Sequence, residues 1–300
     1  MGEHIGVAGL GNMGGGMARR LLASGYSVSG YDVVPAALQA FQDAGGSSAT
    51  SAAELAARVS VVITSLPDPA AVRAAFLAED GLLAGARLGF TVIETSTIDP
   101  RTIKEIATAC EGRGVQLIDA TLSGQPPQAA AGELTIMVGA SGALLEAQRP
   151  LLEKLSKQIH HTGDVGTAKT VKLVNNLMSL GNIAVAAEAF LLGLRCGMDA
   201  NKLYDILSTS GGRSAHFNYD FPRVIADDFR PGFKTQLALK DIRLIIDLAG
   251  KEAYHVELAP VLETLYAAAV QSGYGEEHFA SVIKVYEAWA KPALAAPTPA

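Results

Sequence analysis

Residues 166–194 read GTAKTVKLVNNLMSLGNIAVAAEAFLLGL, and this stretch separates two parts of the chain that differ in character. It contains no proline and has apolar residues on all sides, which predicts one long helix. Lys172, Asn176 and Glu188 would each be costly to bury in lipid, which argues against a membrane span. We therefore predict a long interdomain helix that is buried between two protein domains.

Short apolar runs alternate with helical segments in the part of the chain that precedes this helix. The predicted strands are Ile5–Leu10, Tyr26–Tyr31, Ser60–Ser65, Phe90–Glu94, Val115–Ala120, Leu134–Val138 and Gln158–His161. Strands that alternate with helices are typical of a doubly wound parallel sheet with right-handed crossovers, in which ligands bind at the carboxyl ends of the strands. The sequence therefore predicts an α/β domain over residues 1–164.

Helical patterns alone follow the long helix. The predicted helices are Asn201–Ser208, Leu237–Ala249, Ala259–Ser272 and Glu277–Ala290. The absence of a convincing strand pattern predicts an all-helical C-terminal domain over residues 165–291. Small residues dominate 292–300, where we expect a flexible tail.

A glycine-rich turn connects the first predicted strand to the first helix. Its sequence is GLGNMG, with Gly9, Gly11 and Gly14 in the G-x-G-x-x-G spacing of a Rossmann dinucleotide site. Gly9 permits the tight turn, Gly11 lets a pyrophosphate approach the backbone, and Gly14 lets the helix pack closely on the strand. The helix N-terminus then faces the anion, so we expect Asn12 and Met13 in its first turn to contact the cofactor as well.

An acidic residue ends the second predicted strand. Asp32 follows the glycine turn by roughly 20 residues, the distance at which a carboxylate accepts the ribose hydroxyls of NAD. The 2′-phosphate of NADP would meet a negative charge there, and no arginine follows before Arg58. We therefore expect NAD as the cofactor in preference to NADP. The alternative is that Asp32 is only a turn residue at the end of a strand.

Composition restricts the classes of partner and the compartment. The chain has 300 residues and a net charge of -6 without a long basic run, which argues against nucleic acid and favours small metabolites as partners. The two cysteines, Cys110 and Cys196, have neither disulfide nor metal-ligand spacing, as expected in a reducing cytosol. The N-terminus has no signal-peptide pattern. We predict a cytoplasmic protein with neither a metal site nor a membrane partner.

Four separated segments resemble the β-hydroxyacid dehydrogenases, a family that includes 3-hydroxyisobutyrate dehydrogenase. They are GLGNMG at 9–14, DATLSG at 119–124, GDVGTAKTVKLVNN at 163–176 and Lys240-Asp241 within LALKDIRL. The resemblance implies a Rossmann domain, an interdomain helix and a helical domain that builds a homodimer or homotetramer. It also implies NAD-dependent hydride transfer between the cofactor and a small 3-hydroxyacid or its semialdehyde.

The resemblance also implies roles for individual residues. Lys172 is the expected catalytic acid/base, Asn176 contacts the substrate, and Ser123 and Gly124 hold its carboxylate. The remaining residues implied at the cofactor are Leu66, Pro67, Ser96, Thr97 and Lys240. A lysine is normally protonated at neutral pH, so burial or a neighbouring cation would have to lower its pKa before it could act as a base.

The chain departs from the family pattern at two places. Gln125-Pro126-Pro127 replaces the usual glycine after Ser-Gly, which predicts a reshaped substrate loop. Lys169 stands where the family commonly has glutamine. One hypothesis is that Lys169 and Lys240 make the pocket more cationic and favour a substrate with a second anionic or strongly polar group. The alternative is that Lys169 is solvated on the opposite face of the helix.

Three other functions compete with the dehydrogenase interpretation. A tartronate, glyoxylate or succinic semialdehyde reductase would share the architecture, but NADPH is the commoner cofactor among the glyoxylate and succinic semialdehyde enzymes, and Asp32 disfavours it. The motifs with which 6-phosphogluconate dehydrogenase binds its substrate are absent. A non-catalytic dinucleotide-binding scaffold protein would not need Lys172 and Asn176 together.

Overall fold

The computed structural model describes residues 3–290, so the tail predicted over 292–300 lies outside the described residues. The chain divides into two compact units, Met1–Leu173 and Val174–Ala300. The division falls inside the long helix. The domain boundary predicted after residue 164 stays a prediction.

The first unit contains one eight-stranded sheet in the order β3-β2-β1-β4-β5-β6-β7-β8. The strands are β1 His4–Ala8, β2 Ser27–Tyr31, β3 Ser47–Ser48, β4 Val61–Thr64, β5 Thr91–Glu94, β6 Gln116–Ser123, β7 Leu134–Gly139 and β8 Ser156–Gly163. Neighbouring strands are parallel except β6 and β7. The predicted doubly wound sheet is confirmed, and its order reverses next to β1, where such sheets bind ligands.

Helices connect the strands of the first unit. They are α1 Asn12–Ala23, α2 Pro35–Asp43, α3 Ala52–Arg58, α4 Pro69–Leu77, α5 Leu82–Gly85, α6 Pro100–Glu111, α7 Pro126–Ala131 and α8 Gly142–Leu155. The central strands are buried on both faces. For example, Ile63 and Ile93 belong to one apolar cluster, whereas Val62 and Val92 belong to another. This two-sided burial explains why the strands read as continuous apolar runs.

The antiparallel pairing of β6 with β7 was not predicted, since every strand was expected to be parallel. Ser123 ends β6 and Leu134 begins β7, and the connection holds only the six-residue helix α7. A parallel crossover needs a dozen or more residues, usually with a longer helix. The short connection therefore reverses the chain direction at this place.

Helices also build the second unit. The long helix α9 runs from Thr167 to Arg195 and crosses the division between the units, and it is followed by α10 Ala200–Leu207, α11 Ala215–Ile225, α12 Thr235–Lys251, α13 Leu258–Ala269 and α14 Ile283–Ala290. The predicted helical character is confirmed. Helix α11 was not predicted, because Pro222 interrupts its pattern. Its Phe221 nevertheless packs on Phe190 of α9, with ring centroids 5.2 Å apart.

Among the described residues, α9 is the one helix that is long and apolar enough to cross a membrane. This is weak evidence for a membrane protein, because the core helix of a soluble protein meets the same criteria. Lys169 and Asn176 of this helix are buried and bonded to other protein groups. These two side chains have internal partners, but only 28% of the most apolar stretch of the helix is buried, which differs from the buried helix that the sequence predicts.

Candidate active site

The glycine turn has the geometry that a dinucleotide needs. Gly9 has a φ of +88°, and a Cβ there would lie 2.2 Å from the carbonyl oxygen of Ser65. A Cβ on Gly14 would lie 1.9 Å from the carbonyl oxygen of Gly9. A Cβ on Gly11 would meet no described atom within 4 Å. The open space at Gly11, together with the N-terminus of α1 that begins at Asn12, fits a pyrophosphate.

Asp32 follows β2 directly, beside the glycine turn. Its Oδ2 accepts a hydrogen bond from the Leu10 amide at 2.6 Å, and its Oδ1 accepts one from the Val34 amide at 2.8 Å. The bond to Val34 is that of a turn residue, as the alternative interpretation expected. Each carboxylate oxygen retains a further lone pair, so the same group can accept ribose hydroxyls.

Two of the residues expected at the cofactor are bonded to each other at the ends of β4 and β5. The Leu66 amide donates to Ser96 Oγ at 2.8 Å, and the Ser96 amide donates to Glu94 Oε1 at 2.9 Å. Pro67 and Thr97 follow them directly in the chain. These strand ends lie at the edge of the sheet at which ligands bind in this fold.

The proposed acid/base lies against the end of β6. Lys172 Nζ donates a hydrogen bond to the carbonyl oxygen of Leu122 at 2.8 Å. Ser123 ends the strand, and the exposed Gly124 follows it with a φ of +140°. An ammonium and the two residues expected to hold a carboxylate are thus brought together within the first unit.

In the second unit, a carboxylate orients the substrate-contact residue expected at position 176. Asn176 Nδ2 donates to Asp241 Oδ2 at 2.6 Å, and both residues are buried. Lys240 Nζ lies 2.8 Å from the other oxygen, Asp241 Oδ1. Asn176 Oδ1 accepts from Asn175 Nδ2 at 3.3 Å and keeps a second lone pair as an acceptor. Asp241 lies in the LALKDIRL segment, and no local signal in the sequence indicates its role as the partner of Asn176.

Comparison with known proteins identifies the family. Residues 4–163 match the NAD binding domain of 6-phosphogluconate dehydrogenase, and residues 166–286 match the NAD-binding domain of NADP-dependent 3-hydroxyisobutyrate dehydrogenase. An NAD-dependent L-serine dehydrogenase from Pseudomonas aeruginosa is 36% identical, over 95% of this chain and 98% of its own. The chain belongs to the β-hydroxyacid dehydrogenase family.

Two further relatives support this membership. The 2-(hydroxymethyl)glutarate dehydrogenase of Eubacterium barkeri is 34% identical over 94% of each chain. A solved structure of Mycobacterium tuberculosis 3-hydroxyisobutyrate dehydrogenase with L-serine has a TM-score of 0.86 and 31% identity, covering 95% of this chain and 99% of its own. This β-hydroxyacid dehydrogenase is therefore an NAD(P)-dependent oxidoreductase that acts on hydroxyl groups.

Lys169 does not take either place that was predicted for it in this β-hydroxyacid dehydrogenase. Its side chain is 0% exposed, and its ammonium lies 2.6 Å from Glu94 Oε2 and 3.2 Å from Asp119 Oδ1. The hypothesis of a more cationic pocket through Lys169 is wrong, because two carboxylates offset its charge. The alternative of a solvated side chain is also wrong, since Glu94 and Asp119 hold the ammonium inside the protein.

The segment with two prolines forms the start of helix α7. Pro126 and Pro127 occupy its first turn, and the Gln125 amide donates to Gln128 Oε1 at 2.7 Å. Helix α7 contacts α1. A Cβ on Gly16 would lie 3.1 Å from the Cβ of Ala129, so the glycine permits this close approach. The residues that replace the family's glycine thus form a helix turn that packs against α1.

The second unit also contains a buried group of polar side chains that the expected chemistry does not use. The Asp220 carboxylate, which is 1% exposed, lies 3.0 Å from His216 Nδ1 and 3.4 Å from His278 Nε2. The Ala280 amide donates to His278 Nδ1, so the proton of the neutral ring is on Nε2. Burial lowers the pKa of His278 to about 4, although the nearby Asp220 carboxylate opposes this shift.

This low pKa predicts a loss of stability in mild acid. Below about pH 6.5 the unfolded chain becomes protonated at His278, whereas the folded protein becomes protonated there only near pH 4. The free energy of unfolding should therefore fall by about 2 kcal/mol between pH 7 and pH 5 through this histidine. Urea unfolding of His278→Gln at both pH values should show a smaller fall, whereas His255→Gln, at an exposed histidine, should match the original protein. Equal falls in all three proteins would contradict the prediction.

Proposed function

We propose that the chain is an NAD-preferring dehydrogenase of small 3-hydroxyacids in which Lys172 is the acid/base. One observation carries this proposal. The Lys172 ammonium is bonded to the carbonyl of Leu122, and Ser123 and Gly124 follow in the chain. A group that exchanges a proton and groups that can hold a carboxylate therefore meet at one strand end.

Three of the substrates named for the relatives share one chemical unit, which L-threonate, named for two others, lacks. L-serine, 3-hydroxyisobutyrate and 2-(hydroxymethyl)glutarate each contain a primary alcohol on the carbon next to the one that bears the carboxylate. The common form is HO–CH2–CHR–COO−, in which R is amino, methyl or carboxyethyl. We infer that this chain oxidises an acid of this form to its semialdehyde.

Some of these residues bind the substrate, and Lys172 transfers the proton. Bound NAD supplies the acceptor for the hydride that leaves the alcohol carbon. Neutral Lys172 takes the hydroxyl proton as the carbon–oxygen double bond forms, and in the reverse direction its ammonium returns that proton. Ser123 Oγ and the Gly124 amide donate to the substrate carboxylate, which fixes the reacting carbon in place. Asn176, one turn further along α9, uses one Nδ2 proton for Asp241 and can donate the other to the hydroxyl oxygen.

A substrate panel tests this proposal. NAD reduction would be followed at 340 nm with L-serine, 3-hydroxyisobutyrate, 2-(hydroxymethyl)glutarate and L-threonate. Lactate, a 2-hydroxyacid, and 1,3-propanediol, which lacks the carboxylate, are the controls. Turnover of at least one 3-hydroxyacid well above both controls is expected. Equal rates with 1,3-propanediol would refute the carboxylate-holding role of Ser123 and Gly124.

The preference for NAD is tested at Asp32. Its carboxylate would repel the 2′-phosphate of NADP, and Asp32→Asn removes that charge while the side-chain oxygen can still accept one amide hydrogen bond. We expect the ratio of kcat/KM with NAD to that with NADP to fall about tenfold or more. Loss of about 1.4 kcal/mol of repulsion between the carboxylate and the 2′-phosphate would change this ratio tenfold. Asp43→Asn, at the end of α2, is a control for a change in net charge alone. An unchanged ratio in Asp32→Asn would exclude the carboxylate as the determinant.

Assembly and location remain part of the proposal. We propose a homodimer or homotetramer, supported by the apolar side chains of Val174, Met178, Val185 and Leu192, which are 55–65% exposed along α9. Large exposed apolar patches favour contact with another protein surface. A cytoplasmic location is supported by Cys110 and Cys196, which are both free thiols.

A further inference from the structure

The buried ammonium of Lys169 lies at the centre of a polar cluster that consists of Lys169, Glu94 and Asp119. Besides the two carboxylates, Nζ contacts two backbone carbonyl oxygens, those of Glu94 at 3.0 Å and Ala120 at 2.8 Å. These four oxygens come from the end of β5 and the middle of β6. An ammonium has three protons to donate, so one side chain of α9 links β5 to β6.

The second oxygen of Asp119 holds the beginning of α9. Asp119 Oδ2 accepts hydrogen bonds from the Gly166 amide at 2.7 Å and the Ala168 amide at 3.2 Å. Thr121 Oγ1 donates to the carbonyl oxygen of Ala168 at 3.2 Å. The first amides of a helix have no partner inside the helix, so this carboxylate both satisfies and fixes them.

Lys169 and Lys172 bind the same strand at alternate positions, two residues apart. Lys169 donates to the Ala120 carbonyl, and Lys172 donates to the Leu122 carbonyl. Carbonyl groups two residues apart in a strand point to the same side and are separated by roughly 6–7 Å. Three residues of helix advance by about 4.5 Å. Both lysines belong to one rigid helix. Because Lys169 fixes the position of α9 along β6, it also fixes where the Lys172 ammonium lies.

The cluster also reaches the residues expected at the cofactor. Glu94 Oε1 accepts from the Ser96 amide at 2.9 Å and from Thr64 Oγ1 at 3.4 Å, and Ser96 Oγ accepts from the Leu66 amide. The same carboxylate that binds Lys169 thus orders the loop after β5. The cluster joins the expected nicotinamide side of the first unit to the helix that carries the proposed acid/base.

We propose that Lys169 is a positioning residue, which fixes the start of α9 through Glu94 and Asp119 and so places Lys172 for proton transfer. The proposal rests on the proposed function of Lys172. In this proposal the buried ion cluster affects the rate of the chemical step and not the enzyme's preference for charged substrates. Misplacement of a catalytic group by about 1 Å can lower a rate about 100-fold.

Lys169→Gln tests the proposal, because it removes the ammonium and keeps a hydrogen-bonding side chain. It also leaves two buried carboxylates without their cation, which can unfold the protein. The double variant Lys169→Gln/Glu94→Gln removes one of these charges and is judged by the same criteria. Leu55→Ala, at a buried residue of α3, is the matched control for loss of stability alone.

The measurements are kcat and KM for the best acid of the panel, the Kd of NAD by calorimetry, and Tm. For the folded variant we expect kcat to fall about 10–100-fold, with KM and the Kd of NAD within about threefold of the original values. Leu55→Ala should lower Tm and leave kcat unchanged. A kcat within threefold of the original in the Lys169 variant overturns the proposal, and so does a parallel loss of kcat and NAD affinity. Full turnover in Lys172→Ala would instead refute the proposed function.

Discussion

Lys172→Ala is expected to lower kcat about 10²–10⁴-fold, the range that a general acid/base contributes, while the Kd of NAD stays unchanged. The physical reason is the loss of the side chain that is bonded at Leu122 and able to exchange the hydroxyl proton. Steady-state kinetics with the best acid of the panel and calorimetry with NAD would measure the two effects separately.

Lys172→Arg separates proton transfer from charge. Arginine retains the positive charge but does not lose its proton in proteins, so this variant should be nearly as slow as Lys172→Ala. Lys157→Ala, at an exposed lysine of β8, controls for the loss of a lysine elsewhere in the same unit. Turnover within tenfold of the original in Lys172→Ala, with NAD binding intact, would refute the assignment of Lys172.

Gly14→Ala should lose stability, whereas Gly11→Ala should lose affinity for NAD. A Cβ added at Gly14 would overlap the Gly9 carbonyl oxygen, so α1 would have to move away from β1, at a cost of about 2–3 kcal/mol in the free energy of unfolding. A Cβ at position 11 meets no described atom, and the φ of −63° suits alanine. Gly11→Ala should therefore keep its stability while it blocks the approach of the pyrophosphate.

Urea unfolding and NAD calorimetry distinguish these two results. For Gly11→Ala we expect a free energy of unfolding within about 0.5 kcal/mol of the original, and a Kd for NAD about 10–100-fold weaker, because charge-assisted hydrogen bonds to the phosphates are lost. Normal NAD affinity in this variant would show that the pyrophosphate does not lie against position 11.

Much of the fold followed from local patterns. The alternation of apolar runs and helices predicted the doubly wound sheet, and the proline-free stretch predicted α9 to within one residue at each end. The glycine spacing also corresponds to real steric limits at Gly9 and Gly14. These features depend on residues close together in the chain, where periodicity and backbone sterics are decisive.

Other elements escaped prediction because a distant contact overrides a local signal. Helix α11 forms despite Pro222, since Ser214 caps its start and Phe217 and Phe221 are buried in the aromatic core of the second unit. Likewise, Asp241 becomes a partner of Asn176, which is 65 residues away along the chain. No local periodicity encodes that pairing.

The sequence by itself determined the nucleotide fold, the helix that carries Lys172 and the family of the enzyme, because these depend on glycine spacing, apolar periodicity and short motifs. Only the tertiary structure decided the role of Lys169. Its partners are 75 residues away at Glu94 and 49 residues away at Ala120. The direction of a lysine side chain depends on which charges the folded chain brings within reach, and here a buried carboxylate from β5 and one from β6 hold the ammonium.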